Sequence, residues 1–249
     1  MGARSSGMGH ASSCLTDEWS VFNNIGGLAK VTTLSAAFTY DAQPSFSPFN
    51  KTAAVFAVPL KKFSTAGLGI YRFGDKVYSE QILTTGFSST FGLASLGIKL
   101  NYIQYNAAGF GRKGVWSISF GGIAALTPKL SIGAYVVNLN QPKISHLDNE
   151  RLPTILTAGL SFKASDKTII TTELSKDLEY KPLWKTGAEY QVFKKFSFRT
   201  GFNIHPVSGF FGVGFKPKNF SVDYSYQYRP GIGSRHQATV AYNFNDHLK

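Results

Sequence analysis

The chain is poor in several things at once. It has a single cysteine, Cys14, so no disulfide can form within it, and a disulfide-stapled scaffold is excluded. Charged residues make up 16 % of its 249 positions, well under the roughly 25 % of soluble globular domains. Acidic side chains are the scarcer kind, 14 against 26 Lys and Arg, which leaves a net charge of +12. There is also no long apolar run. The longest charge-free stretch, Gln81 to Ile98, is loaded with Ser, Thr and Gly, whereas a helical membrane span requires roughly twenty mostly apolar residues. No apolar segment stands before Cys14 or follows Met1, so neither a lipidated cysteine nor a signal peptide is read here.

What is present is alternation. His236, Ala238, Val240, Tyr242 and Phe244 fall on one face of an extended chain, and Gln237, Thr239, Ala241 and Asn243 on the other. Phe220, Val222, Tyr224, Tyr226 and Tyr228 oppose Ser221, Asp223, Ser225 and Gln227 in the same way. Period two means strand, because successive side chains point to opposite faces. Fourteen such segments are predicted, near 31–40, 52–59, 63–73, 77–87, 94–105, 114–126, 130–139, 153–163, 168–176, 182–192, 196–202, 208–215, 220–228 and 235–244. A soluble β-sandwich would alternate too. The aromatic outward face, the high glycine content and the even count point instead to an all-β, 14-stranded antiparallel transmembrane β-barrel. All ten prolines fall in connections or at strand ends, as a closed barrel demands, since proline removes a ladder donor.

The connections alternate in kind. One set is tight and mostly lysine-marked: Leu60 to Lys62, Ser88 to Leu93, Thr127 to Lys129, Ala164 to Lys167, Phe193 to Lys195 and Lys216 to Asn219. The other set is longer on average, with Asn106 to Lys113 and Asn140 to Leu152 among its members. Short periplasmic turns and longer outer loops are usual in such barrels, and an even strand count then puts both termini on the turn side. The lysines of the turns are spread around the chain and carry no aromatic stacking platform, so the basic balance does not read as nucleic-acid binding. A lysine rim suits membrane lipid, lipopolysaccharide included, or an acidic partner.

Within the lumen, Glu173, Lys185, Glu189, Arg199 and Asp223 are expected to point inward from the last six strands and to form ion pairs. Such a cluster reads first as a network that stiffens the barrel and second as a selectivity filter or proton path. The earlier strands put Gly67, Gly69, Tyr71, Phe73, Gly97, Gly133, Tyr135 and Val137 inward, a drier half that could take a hydrophobic ligand or a plug. Residues 1–30 fit no strand and are read as that plug, with 31–249 as the barrel. Thr16 reads as an N-cap followed by the acidic first-turn residues Asp17 and Glu18. The helix would run to about Asn24, stop at Gly26-Gly27, and bury Trp19, Phe22 and Ile25. The five histidines have no ligand spacing and no Ser/His/Asp set is brought together, so no metal, cofactor or enzyme activity is expected.

The two ends carry a resemblance. Gly2 to Ala11 (GARSSGMGHA) and Asp17 to Ala29 (DEWSVFNNIGGLA) resemble the opening of the PorV/PorQ family, approximately aRa-x-GMG-x-A, an Asp, then NPAGLA. Val222-Asp223-Tyr224 and Gly231 to Gln237 are similar to that family's final hairpin. Ile25 and Gly26 depart from it, standing where Pro and Ala are usual. The family consists of FadL-like outer-membrane barrels of fourteen strands. The resemblance implies a non-catalytic subunit of an outer-membrane assembly linked to type IX secretion or protein transport, with other outer-membrane proteins as partners. The wider superfamily implies the alternative, a passive transporter of hydrophobic small molecules. Either way the expected place is the bacterial outer membrane, with the signal peptide already removed.

Overall fold

A computed structural model describes residues 1–61, 63–144, 150–177 and 180–244. Lys62 of the first tight connection lies outside them, as do two of the five histidines, His146 and His247. Fourteen strands form one closed antiparallel barrel: β1 (Ser35–Ala42), β2 (Lys51–Lys61), β3 (Ser64–Gly74), β4 (Tyr78–Phe91), β5 (Ala94–Ala107), β6 (Gly111–Ala125), β7 (Leu130–Val137), β8 (Ile155–Ser165), β9 (Thr168–Asp177), β10 (Leu183–Phe193), β11 (Phe196–Ile204), β12 (Ser208–Phe215), β13 (Phe220–Arg229) and β14 (Gly233–Asn243). β1 pairs with β14 from Ser35↔Asn243 to Ala42↔His236 and closes the ring. β1 starts and β14 ends on the side of the short turns.

The wall is two-faced because the residues alternate. On β12, Ser208 and Phe210 are buried while Phe211 and Phe215 are exposed. Phe38, Ile70, Trp116, Leu156 and Phe198 are each more than half exposed. So wide an apolar surface belongs against lipid rather than water. None of the described helices is long and apolar enough to cross a membrane; strands do the spanning.

The ladders outrun the sequence pattern in two places. β4 continues to Phe91, paired with Ala94, so the turn expected over Ser88 to Leu93 shrinks to Gly92-Leu93. The polar residues there are accommodated: Ser88 Oγ donates to the Leu96 carbonyl at 3.0 Å. The loop expected over Asn106 to Lys113 is likewise only residues 108–110. Pro59 lies inside β2 next to an irregularity between Pro59 and Lys61, where the ladder is already broken.

β7 is short, and it pairs with β6 only from Phe120↔Val136 to Ala125↔Ser131. Beyond it an asparagine takes the strand's place. Ile118 N–H donates to Asn140 Oδ1 and Asn140 Nδ2 donates to the Trp116 carbonyl, both at 2.9 Å. This satisfies the open edge level with the exposed Trp116 and Ile118, where lipid could not.

Candidate functional site: the plugged lumen

Residues 1–30 lie inside the barrel as α1 (Ala3–Gly7) and two 3₁₀ turns, Glu18–Val21 and Ile25–Lys30. Ala3, Met8, Ala11, Val21 and Leu28 have no exposed surface. The segment fits because the inner wall there is nearly side-chain-free. Cross-strand glycine pairs Gly67↔Gly86, Gly97↔Gly121, Gly133↔Gly159 and Gly187↔Gly201 form a girdle around it. A Cβ on Gly133 would overlap the Ser13 carbonyl, and one on Gly187 the Met8 carbonyl. Ile25 packs across Gly86 and Gly97, and Phe22 lies on Gly69.

All five charged residues singled out above face this lumen, in two groups. Glu173 is 2 % exposed; its Oε1 meets Lys185 Nζ at 2.7 Å, and its Oε2 accepts the Ser12 and Ser13 N–H groups, both at 2.8 Å. Arg199 links Glu189 and Asp223, each at 2.6 Å. Glu189 in turn binds Arg4 of α1 at 2.7 Å, and Arg4 reaches Asp17 at 3.3 Å. The wall charges therefore hold the plug as well as one another.

The opposite half of the lumen is less dry than its sequence implied. Lys99 of β5 is 5 % exposed and has no carboxylate partner among the described residues. Its Nζ donates to the Val21, Phe22 and Asn23 carbonyls at 3.1, 2.6 and 3.2 Å. These carbonyls close the first 3₁₀ turn, where a cation is electrostatically favoured. Asn24 adds a second tie, its Nδ2 donating to the Ser13 and Gly122 carbonyls at 2.6 and 2.9 Å. Lys99 shares the polar face of its strand with Gly97 and Asn101, so alternation alone carried the signal. Arg4 carried none, because no strand frames it.

On the loop side, aromatic rings descend toward the plug. Phe46 and Phe49, both exposed, stand 4.6 Å apart; Phe49 is 5.8 Å from Phe73; Tyr71 follows two residues along on the inner face of β3 and lies 6.4 Å from Phe22. Across the lumen, Leu152 and Ile144 of the β7–β8 loop pack onto Ile103 and Val115.

By sequence, no family model and no curated protein matches the chain. By structure, it is similar to the P. putida toluene transporter TodX, with TM-score 0.73 and 12 % identity over 99 % of both chains. It is similar to the CymD monoaromatic hydrocarbon channel, with TM-score 0.72 and 13 % identity over 99 % of this chain and 98 % of that one. A Pseudomonas aeruginosa FadL homologue gives 0.71 and 13 % over 98 % of each. The fold is that of a FadL-type barrel.

Within this FadL-type barrel the plug departs from its sequence reading. In place of the helix expected over Asp17 to Asn24 there is one 3₁₀ turn, Glu18–Val21, and a second follows it at Ile25–Lys30. Asp17, not Thr16, caps the first, accepting the Trp19 N–H at 3.1 Å, and Thr16 is exposed. Gly26 and Gly27 do not end a helix but lie inside the second turn, capped by Asn24. A Cβ on Gly26 would stand 2.5 Å from Gly122 Cα, so close approach to the wall, rather than helix termination, explains the glycines there. Trp19 and Ile25 are buried, and Phe22 is partly so.

The turn-side mouth of the FadL-type barrel is a cavity of about 280 Å³ into which Arg4, Asp17, Glu18, Glu189, Arg199 and Asp223 face. Burial first, and the neighbouring Asp17 carboxylate second, push the Glu18 carboxyl up to about 7. A carboxyl harder to ionise in place than in the free chain destabilises the state that holds it once it ionises. Glu18 therefore holds the plug most firmly below the ordinary glutamate range, and its contribution is lost as pH rises through about 7. His10 of the same segment, whose imidazole burial pushes well down, acts in the opposite sense, so the Glu18 contribution is read by comparison with Glu18→Gln. The ratio of protease cleavage within residues 1–30, unsubstituted over Glu18→Gln, is expected to rise between about pH 5 and pH 8. A ratio that does not change with pH would refute it.

Proposed function

We propose that this chain is a passive channel for hydrophobic small molecules in the bacterial outer membrane. The observation that carries the reading is the aromatic track from Phe46 through Phe49, Phe73 and Tyr71 to Phe22. It begins in water at the loop-side mouth and ends on the plug, so an apolar solute meets ring surface at each step. The structural neighbours named above, a toluene transporter and a monoaromatic hydrocarbon channel, support it. They favour it over the secretion-assembly subunit that the PorV/PorQ resemblance put first.

The test is uptake of a hydrophobic aromatic dye into vesicles whose outer leaflet is lipopolysaccharide. The protein is expected to accelerate uptake. The paired substitution Tyr71→Ser and Phe73→Ser is expected to slow it several-fold, each removing an aromatic contact of about 0.5–1.5 kcal/mol. Vesicles with the barrel that take up dye no faster than empty ones would sink the reading.

A PorV/PorQ-like subunit remains the second reading, favoured by the outer wall. Two apolar hollows open there: one of about 510 Å³ floored by Ala36 and Ala54, the other of about 330 Å³ around Gly122 and Ala134. Either would seat a ridge of another membrane protein. Co-purification of a stoichiometric partner from native membranes, with no dye uptake by the barrel alone, would promote this reading above the first.

A further inference from the structure

The loop-side mouth holds a small pocket that the aromatic track does not account for. It measures about 200 Å³ and is lined by Gln43, Phe49, Arg229, Ile232 and Arg235 among others. Arg229 closes the inner face of β13, and Arg235 stands one rung below on β14, opposite Gln227. Arg235 is partly used: its NH2 group donates to Gln43 Oε1 at 2.8 Å and its Nε lies 3.3 Å from Asp41 Oδ1. Arg229 is not used at all. Among the described residues no hydrogen bond or ion pair engages its side chain.

An unpaired guanidinium beside a second one, with Asp41 the carboxylate on Arg235, leaves the pocket net positive. Guanidinium forks match carboxylates in a bidentate way. The opposite wall, Phe49 and Ile232, is apolar. The volume is small beside the roughly 300–1,000 Å³ of sites for drug-sized ligands, which suits one ring and excludes a long chain.

We propose that this pocket recognises a single-ring organic acid, its carboxylate on Arg229 and the remaining edge of Arg235, its ring on Phe49 and Ile232. The inference rests on the channel reading and narrows it: the mouth selects an amphiphilic aromatic acid over a plain hydrocarbon. Phe49 belongs to both the pocket and the track, so the captured ring is already placed on the first steps inward.

The experiment is calorimetric titration of the full chain in mild detergent with benzoate, toluene and inorganic phosphate, beside the vesicle dye uptake. Benzoate is expected to bind more tightly than toluene and to resist displacement by phosphate. In Arg229→Gln the preference for benzoate over toluene should fall about 10- to 100-fold, the worth of a charge-assisted hydrogen-bond pair. Ile232→Ser, at an exposed loop position, should weaken benzoate several-fold. Benzoate affinity unchanged in Arg229→Gln, displacement by phosphate as readily as by benzoate itself, or dye uptake without benzoate binding would each overturn this inference while the channel reading stands. Absence of both dye uptake and aromatic binding would overturn the two together.

Discussion

Replacing Gly201 by valine is expected to drive the plug off the wall. Gly201 faces inward on β11, directly across from Gly187. A Cβ there would overlap the Gly9 backbone nitrogen and stand 2.5 Å from the Met8 carbonyl carbon. These are backbone atoms, which cannot swing aside as the tip of a long side chain would. Nor can the plug retreat sideways, because Gly7 already lies against Gly212 and Met8 against Gly187. Overpacking a full core costs about 1–3 kcal/mol when neighbours can relax, and here the easiest relaxation is departure of the segment. Residues 1–30 should become cleavable in a barrel that still runs as folded on a gel, and ion conductance through the lumen should appear. Gly209→Val is the control. Gly209 lies on the adjacent β12 with nothing near the position of a Cβ, so the plug should stay protected. Equal protection in Gly201→Val would mean that the girdle does not hold the plug.

How much of this was legible beforehand follows from what a strand records. A barrel wall separates lipid from lumen at every second residue, so Phe220 to Tyr228 declared their face without any neighbour being known. The same parity put Glu173, Lys185, Glu189, Arg199 and Asp223 on the inner side. Their partners were not legible. Arg4 meets Glu189 across 185 residues of chain, and no local pattern announces that. The plug's local structure departs from its sequence pattern for a related reason. Thr16 and Gly26-Gly27 look like helix punctuation, but the shape of residues 17–30 is imposed by the wall they touch, and packing overrides propensity. Lys99 lay on a polar face in plain view. Its role is not announced there, because a buried lysine suggests a carboxylate partner, whereas here three carbonyls serve. The mouth pocket was hidden too, since it joins the β1–β2 loop to β13 and β14, which only barrel closure brings together.

The second large effect concerns Glu173, and its sign distinguishes a stiffener of the wall from an anchor of the plug. Glu173 has two duties: it neutralises Lys185 and accepts two plug N–H groups through Oε2. Removing one partner of a buried ion pair costs roughly 3–5 kcal/mol, mostly through the charge left behind. Were the pair only a brace between β9 and β10, Glu173→Gln and Lys185→Met should weaken the barrel alike and leave the plug in place. With the geometry seen here the two should differ. Lys185→Met leaves the carboxylate on its two N–H donors. Glu173→Gln strands the Lys185 ammonium and offers the Ser12 and Ser13 N–H groups a neutral oxygen at best, for a loss of about 3 kcal/mol. The loss should fall on the plug first, because the β9–β10 ladder is untouched. Protease should cut residues 1–30 in Glu173→Gln at denaturant concentrations where Lys185→Met and the unsubstituted protein remain protected. The double variant should recover part of the difference through the coupling of the pair. If the two single variants prove indistinguishable in plug protection, the carboxylate is a brace, and the plug is held by its other ties, the glycine girdle, Lys99, Asn24 and Arg4 among them.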